Sequence, residues 1–287
     1  MSGALPPDAL PRYRRDGFYF PHRVMTPEQA AGFAEHFQTF DRSERAQHYD
    51  DIVNQVYLLK PYLLFSWVDA IVHQASILDA VTNFVGPDIM LWSAGLFTKA
   101  PNSQAFVSWH QDATHYELEG VDEVVRVWLA LTPTTLANGT MSYAPGMHAR
   151  GQLGHKDTAQ ADGLLSRGET IDAEIDEGAT VPVILDAGEV SFHHLHTPHA
   201  SGPNSTDEPR INLVMTYIAP QVRPKRGRDS AMLVRGEDRF GHFQAEPRPE
   251  ADFAPAAVAA HAEAMALRNA IIFRNAANVP SGARRQA

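Results

Sequence analysis

The pattern of hydrophobic and polar positions predicts a helical first part of the chain. Thr26 is placed to cap a helix, Pro27 stands in its first turn, and apolar side chains recur after it at helical spacing. A second apolar segment, residues 66–86, predicts further helix that is interrupted near Gln74 and ends at a Gly-Pro pair. We therefore expect helices over residues 1–87.

A different pattern begins at residue 88, where short segments rich in β-branched and aromatic residues alternate with turn residues. The segments read DIMLWSAGLFTKA, FVSWHQD, EVVRVWLALT, GTMSYAP, ATVPVILD, GEVSFHHLH and RINLVMTYIAP. They predict an antiparallel sandwich or barrel over about 88–220, with helices packed outside. A closing helix is expected over about 254–275, and residues 149–178 are interpreted as a long insertion loop. Because no Gly/Ser-rich or Pro-rich linker and no repeat divides the sequence, residues 1–287 are expected to form one domain.

Composition narrows the function classes. The 34 acidic residues exceed the 24 basic ones, which gives a formal net charge of −10 and argues against nucleic-acid binding. The one basic cluster, RPKRGR at 223–228, is interpreted as a solvated loop. The chain has no cysteine, which excludes disulfides and thiolate sites and is typical of a reducing compartment. No apolar run reaches about 18 residues, so we expect a cytoplasmic protein without a membrane span. The oligomeric state cannot be predicted.

The stretch SWHQDATHYEL carries His110 and Asp112 two positions apart. Side chains at i and i+2 share one face of a strand, so these two would point the same way. One interpretation is a simple His–Asp hydrogen bond at a strand end. A catalytic dyad is disfavoured because the chain has neither a nucleophile elbow nor cysteine. With a third ligand, two imidazoles and one carboxylate would form the facial triad of non-haem iron oxygenases. Four candidates for that ligand lie in one run: His193, His194, His196 and His199.

Three motifs in order carry a resemblance to a known family. WHQD, GTMSYAPGMH and HASGPNSTDEPRINL are similar to segments of the phytanoyl-CoA dioxygenase family of iron(II)/2-oxoglutarate oxygenases, and the opening RYRRDGFYFP resembles its N-terminus. Met147 departs from the serine that is usual in the family. The resemblance implies an all-β core with flanking helices, in the α+β arrangement of the double-stranded β-helix (jelly roll, cupin-like).

The resemblance selects His199 as the third metal ligand, beside His110 and Asp112. It implies Fe(II), 2-oxoglutarate as cosubstrate and dioxygen, with ascorbate as a candidate reductant. It also implies hydroxylation of a substrate with release of succinate and carbon dioxide. Related halogenases lack the carboxylate that Asp112 supplies here, which favours hydroxylation over chlorination. His148 is expected to bond locally in its turn, and the other histidines of the run are expected in the core or behind the ligands.

Cosubstrate residues follow from the same resemblance. Arg210 lies on the strand after the third ligand, and its planar fork suits the distal carboxylate of 2-oxoglutarate, with Ser201 adding a hydroxyl donor. Trp128 stands where the family has a tryptophan beside the cosubstrate. Lys60 resembles a lysine that reaches the cosubstrate in some relatives, and Lys99 is a second candidate for the same role. The alternatives are surface positions for Arg210 and both lysines, and core packing for Trp128.

Substrate candidates are a mixture of aromatic and basic residues that would suit a small polar molecule, anionic or zwitterionic. They are Trp92, His115, Tyr116 and Arg126. Two other function classes stay open: a cupin-like metal enzyme that does not use 2-oxoglutarate, and a non-catalytic binding module on the same fold.

Overall fold

Two sheets face each other in the computed structural model, which describes residues 3–48, 56–114, 116–157 and 169–272. The helices are α1 Ala9–Asp16, α2 Pro27–Asp41, α3 Glu44–His48, α4 Ser66–Val72, α5 Ala75–Val85 and α6 Pro255–Ile272. The first eight strands are β1 Phe18–Arg23, β2 Ile89–Lys99, β3 Val107–His110, β4 Leu118–Glu119, β5 Val124–Ala130, β6 Met141–Tyr143, β7 His155–Asp157 and β8 Glu169–Ile171. The remaining strands are β9 Val181–Pro182, β10 Glu189–His193, β11 His199–Ser201, β12 Arg210–Ile218, β13 Arg223–Pro224, β14 Ser230–Arg235 and β15 Gln244–Ala245.

The larger sheet has seven strands in the order β1-β10-β5-β12-β2-β14-β15, and the smaller sheet has four in the order β3-β11-β6-β9. All neighbours in both sheets are antiparallel except β14 and β15. Two further pairs, β13-β4 and β7-β8, stand apart from them. The predicted β core with flanking helices is confirmed, in the jelly-roll arrangement of two facing sheets.

Side chains along the central strands point alternately to the helix-covered face of the large sheet and to the interior between the two sheets. On β5, Val125, Val127 and Leu129 belong to the main hydrophobic core, which also contains residues of α5. Trp128 faces the other way and packs with Tyr143 of the smaller sheet. Because both faces are covered, every residue of β12 is buried. Polar side chains on the inner face are therefore held in a space with little water.

The helix boundaries follow local chemistry that the sequence displays. Thr26 accepts a hydrogen bond from the Gln29 amide, and the Gln29 side chain accepts one from the Thr26 amide, so α2 begins with a complete capping box. The predicted break near Gln74 lies between α4 and α5. Gly86 follows α5 with φ of 90°. None of the helices in the described part of the chain is long and apolar enough to cross a membrane.

The β structure reaches beyond the predicted range of about 88–220. Strand β1 lies in the part expected to be helical and pairs with β10, while β14 lies after residue 220 and pairs with β2. The predicted insertion loop is also partly wrong. Strands β7 and β8 pair there, although residues 158–168 between them lie outside the described residues.

Candidate metal centre

Three predicted ligands meet between the two sheets. His110 ends β3, Asp112 stands in the 3-10 turn that follows, and His199 begins β11 directly opposite His110 in the register of the smaller sheet. One ligand atom from each of the three lies within 4.8 Å of the others, and all three residues are buried. The pairing of β3 with β11 thus brings His199 next to Asp112, although the two residues are 87 positions apart in the sequence.

Each imidazole is oriented by a backbone carbonyl two residues before it. Nδ1 of His110 lies 2.9 Å from the Ser108 carbonyl oxygen, and Nδ1 of His199 lies 3.0 Å from that of Thr197. These contacts place the proton on Nδ1 and leave the Nε2 lone pair for a metal. Burial lowers the pKa of His199 to about 4, so this imidazole is neutral at ordinary pH, as a ligand must be.

One oxygen of Asp112 is held by two protein groups. Nε of Arg126 lies 3.1 Å from Oδ2, and Nε2 of His193 lies 3.3 Å from the same oxygen. Burial raises the pKa of Asp112, but the charge of Arg126 and the neighbouring His199 and His193 outweigh burial and hold it well below the usual range. The carboxylate is therefore ionised and oriented, which leaves Oδ1 as the atom available to a metal.

His193 is in turn fixed from behind. The Tyr143 hydroxyl lies 2.9 Å from His193 Nδ1 and 2.8 Å from Ser191 Oγ. An ionised carboxylate only accepts hydrogen bonds, so His193 donates from Nε2 to Asp112 and accepts at Nδ1 from Tyr143. Burial lowers the pKa of His193, which keeps it neutral in this role. The sequence had suggested a core or supporting role for His193. The structure identifies the residue that it supports, through the hydrogen bonds that link Tyr143, His193 and Asp112.

A second cluster, the cation pair Arg210 and Lys99, lies beyond the ligands. Arg210 begins β12, and Lys99 ends β2 directly opposite it. Nζ of Lys99 donates to Ser201 Oγ at 3.0 Å and to the Gly202 carbonyl. The Arg210 guanidinium lies 5.5 Å from the centre of the Trp128 ring. Ser201 is two residues from His199 on β11, so the cation pair adjoins the metal ligands.

The cation pair has no anionic partner among the described residues. Arg210 donates to the Gly139 carbonyl, while its buried Nε has no hydrogen-bond partner there. Burial lowers the pKa of Arg210 to about 10, and burial followed by the charge of Arg210 lowers the pKa of Lys99 to about 7. Two buried cations with an unused donor are costly unless an anion joins them, so the residues present fit a dicarboxylate such as 2-oxoglutarate.

Gly139 allows this arrangement through its backbone. Its φ is +71°, and a Cβ there would lie 2.3 Å from the Gly202 carbonyl oxygen and 2.5 Å from that of Pro203. Any side chain would push away the loop that also binds Lys99. Gly139, the first residue of GTMSYAPGMH, therefore permits the close approach of the two backbone segments that bind Arg210 and Lys99.

The structure does not bring Lys60 to the cation pair. The Lys60 ammonium lies 2.5 Å from Glu246 Oε1 and 3.0 Å from the Ser230 carbonyl, and the side chain is fully buried. Tyr62 donates to the other Glu246 oxygen at 2.6 Å. These bonds explain why Lys60 is buried away from the ligands, and Lys99 occupies the place beside Arg210.

Three of the four predicted substrate residues lie together. Trp92 and Tyr116 meet edge to face with ring centres 4.6 Å apart, and Arg126 donates to the Tyr116 hydroxyl. His115 lies outside the described residues. His148, His194 and His196 form a cluster in which His194 lies 3.2 Å from Asp122, and His196 lines a cavity together with Tyr116.

Comparison with known proteins identifies the family of the chain. The family model of phytanoyl-CoA dioxygenase matches residues 13–212 of the 287. The solved structure described as "non-heme monooxygenase; ThoJ apo" superimposes with a TM-score of 0.83 at 42% identity, covering 95% of this chain and 100% of that one. A second structure, described as a ThoJ-Ni complex, gives a TM-score of 0.80 at 40% identity, with coverage of 93% and 99%.

Two curated relatives match over about half of their length. The protein named "Probable alpha-ketoglutarate-dependent hypophosphite dioxygenase" from Stutzerimonas stutzeri is 33% identical over 58% of this chain and 58% of its own. The "Methylphosphonate hydroxylase" of Gimesia maris is 30% identical over 51% of this chain and 52% of its own. The family match spans the metal ligands and the start of β12 and covers well over half of the sequence. The chain therefore belongs to the phytanoyl-CoA dioxygenase family.

Proposed function

We propose that the chain is an Fe(II)- and 2-oxoglutarate-dependent dioxygenase that hydroxylates a small polar metabolite and releases succinate and carbon dioxide. The observation that carries this proposal is that a facial triad lies beside a buried cation pair for which the described residues supply no anionic partner. Family membership and the relatives named as dioxygenases support it. We take residues 1–287 as a single catalytic domain, because strands from the first, middle and last parts of the chain share one sheet.

Each group of residues has one role in this proposal. His110, Asp112 and His199 hold Fe(II), which when bound supplies the oxygen-activating chemistry of the family with dioxygen and 2-oxoglutarate. Arg126 and His193 keep Asp112 ionised and oriented.

The cation pair binds the distal carboxylate of the cosubstrate, with Ser201 as a hydroxyl donor and Trp128 supporting Arg210 from its ring face. The buried walls exclude water from the reacting groups. Ascorbate is the reductant that we expect to maintain iron in the ferrous state.

A cupin-like metal enzyme that needs no 2-oxoglutarate would share the triad but have no use for a buried cation pair. The curated relatives, which are named for small phosphorus compounds, support a small polar substrate.

Succinate formation tests the proposal. The wild-type chain, supplied with Fe(II), ascorbate, dioxygen and 2-oxoglutarate, should form succinate, and one of a panel of small phosphono- and amino acids should increase the rate. Asp112→Ala should abolish the signal, whereas Arg223→Gln, which changes an exposed guanidinium bonded to Glu119, should leave it unchanged. Turnover with acyl-CoA esters alone would contradict the small substrate, and a wild-type protein that never consumes 2-oxoglutarate would contradict the function.

A further inference from the structure

Arg126 lies on the Asp112 side of the site, and not all of its guanidinium N–H groups donate hydrogen bonds to the described residues. Arg126 contacts Asp112 through Nε, and its Nη1 donates to the Tyr116 hydroxyl and, at 3.2 Å, to Thr216 Oγ1. No hydrogen bond from Nη2 to any of the described residues accompanies these contacts. Nη2 is also absent from the fully buried unpaired atoms, so it keeps some exposure, whereas the buried Nε makes no hydrogen bond among the described residues although it lies 3.1 Å from Asp112 Oδ2.

Arg126 and the cation pair lie at opposite ends of the inner face. Arg210 begins β12, whereas Thr216, in register with Arg126, lies six residues further along, roughly 20 Å of strand. Along the smaller sheet, Ser201 adjoins the cation pair and His199 adjoins Asp112. A five-carbon dicarboxylate held by Arg210 therefore ends at the metal ligands and leaves the Tyr116–Arg126–Thr216 group for another molecule.

Charge indicates the chemistry of that molecule. With Lys99 protonated, Arg126, Arg210 and Lys99 stand against Asp112 and Asp229, the buried acid that accepts a hydrogen bond from Trp92, which leaves one buried positive charge in excess. Fe(II) and the 2-oxoglutarate dianion cancel each other, so the excess remains when both are bound. A buried excess of charge is unfavourable until an anion enters. A cavity of about 380 Å³ reaches this group at Tyr116, the one member of the group that lines it; His155, His196 and Lys225 also lie in its wall, with Glu117 as the one acid among the described residues.

We infer that Tyr116, Arg126 and Thr216 form the subsite for a small oxyanion, the charged group of the substrate. Nη2 of Arg126 donates to one oxygen of that anion, and the anion lies on the Asp112 side of the ligands because the same guanidinium touches Asp112. This inference rests on the proposed function, of which it specifies the substrate class. Phosphonates and carboxylates share the required chemistry, and the experiment separates them.

The test is anaerobic calorimetry on protein loaded with Ni(II) and 2-oxoglutarate, with methylphosphonate, acetate and the neutral acetamide as probes. The wild type should bind methylphosphonate or acetate and not acetamide, and the preferred anion identifies the source. Arg126→Gln should weaken anion binding at least about 30-fold, within the range for truncating a buried charge pair. With Ni(II) kept saturating for this variant, because Arg126 also supports Asp112, its affinity for 2-oxoglutarate should stay within about threefold, and the matched surface variant Arg223→Gln should bind like the wild type.

Three results would overturn the inference. They are equal binding of acetate and acetamide by the wild type, undiminished anion affinity in Arg126→Gln, and loss of 2-oxoglutarate rather than of the anion in that variant. Because Arg126 touches a ligand, wild-type protein loaded with Mn(II) gives a second measurement. The phosphorus nucleus of methylphosphonate should relax fast beside the metal, and unenhanced relaxation would also overturn the inference. Failure of the wild type to bind 2-oxoglutarate at all would instead refute the proposed function.

Discussion

Binding of 2-oxoglutarate is expected to take up a proton at Lys99. In the free protein, burial and then the charge of Arg210 lower the pKa of Lys99 to about 7. A carboxylate bound between the two cations favours the ammonium form and raises this pKa. The full affinity is therefore present below about pH 7, where Lys99 is already charged, and it falls as the pH rises from there toward the pKa of the complex.

The size of the effect follows from the pKa of about 7 for Lys99 in the free protein. Each pH unit above the free pKa costs about 1.4 kcal/mol, so affinity should fall about 100-fold, or about 3 kcal/mol, between pH 6 and pH 9. At pH 7 about half a proton, and at pH 8 about 0.9 of a proton, should enter with each cosubstrate molecule. Anaerobic calorimetry of the Ni(II)-loaded protein in buffers of different ionisation enthalpy measures both quantities.

Two variants separate Lys99 from other titrating groups. Lys99→Met should bind 2-oxoglutarate more weakly at pH 6 and lose the dependence on pH above 7. Lys99→Arg keeps the charge at every pH used, so its affinity should not fall between pH 7 and pH 9. A wild-type affinity that is constant from pH 6 to pH 9, or an unchanged slope in Lys99→Met, would refute the reasoning.

Three further predictions concern single side chains. Arg210→Met should lose about 2–5 kcal/mol of 2-oxoglutarate binding with metal affinity intact, as measured by calorimetry, and unchanged binding would place the anion elsewhere. His193→Phe removes a donor to Asp112 and should weaken metal binding about 10–100-fold in a chelator competition; His193→Asn, which still donates, should recover part of it. Equal metal affinity in His193→Phe would show that the contact does not orient the ligand. Glu246→Gln should lower the free energy of unfolding in urea by about 3–5 kcal/mol because Lys60 is left unpaired, and should leave 2-oxoglutarate affinity intact. Loss of cosubstrate affinity in a fully stable Glu246→Gln protein would instead give Lys60 a role at the site.

The sequence predicted the parts of the fold that local patterns determine. The helix cap at Thr26 and the apolar segments that form β5 and β12 are local signals, and these elements lie where they were expected. Strand β1 was missed because FYFPHR contains Pro21, which disfavours an internal strand; β1 lies at the edge of the large sheet, where proline is tolerated. Strand β14 was missed because its pairing with β2 depends on distant parts of the chain.

In the candidate site, too, the residues in local motifs were predicted, whereas those that depend on strand pairing were not. His110, Asp112 and His199 follow from spacing and ordered motifs, and the structure brings them together. The choice between Lys60 and Lys99 depends on the register of β2 against β12, which no local pattern determines. The contact between His193 and Asp112 joins residues 81 apart, one at the end of β10 and the other in the turn after β3, so no local pattern could single it out.

The most direct test of the account is the visible charge-transfer absorption of Fe(II) chelated by 2-oxoglutarate, recorded without oxygen. The wild-type chain should develop the band when both are added, and His199→Ala and Asp112→Ala should each abolish it. A wild-type protein that binds Fe(II) and 2-oxoglutarate without the band, or a His199→Ala protein that keeps it, would contradict the convergence of these three side chains on one iron.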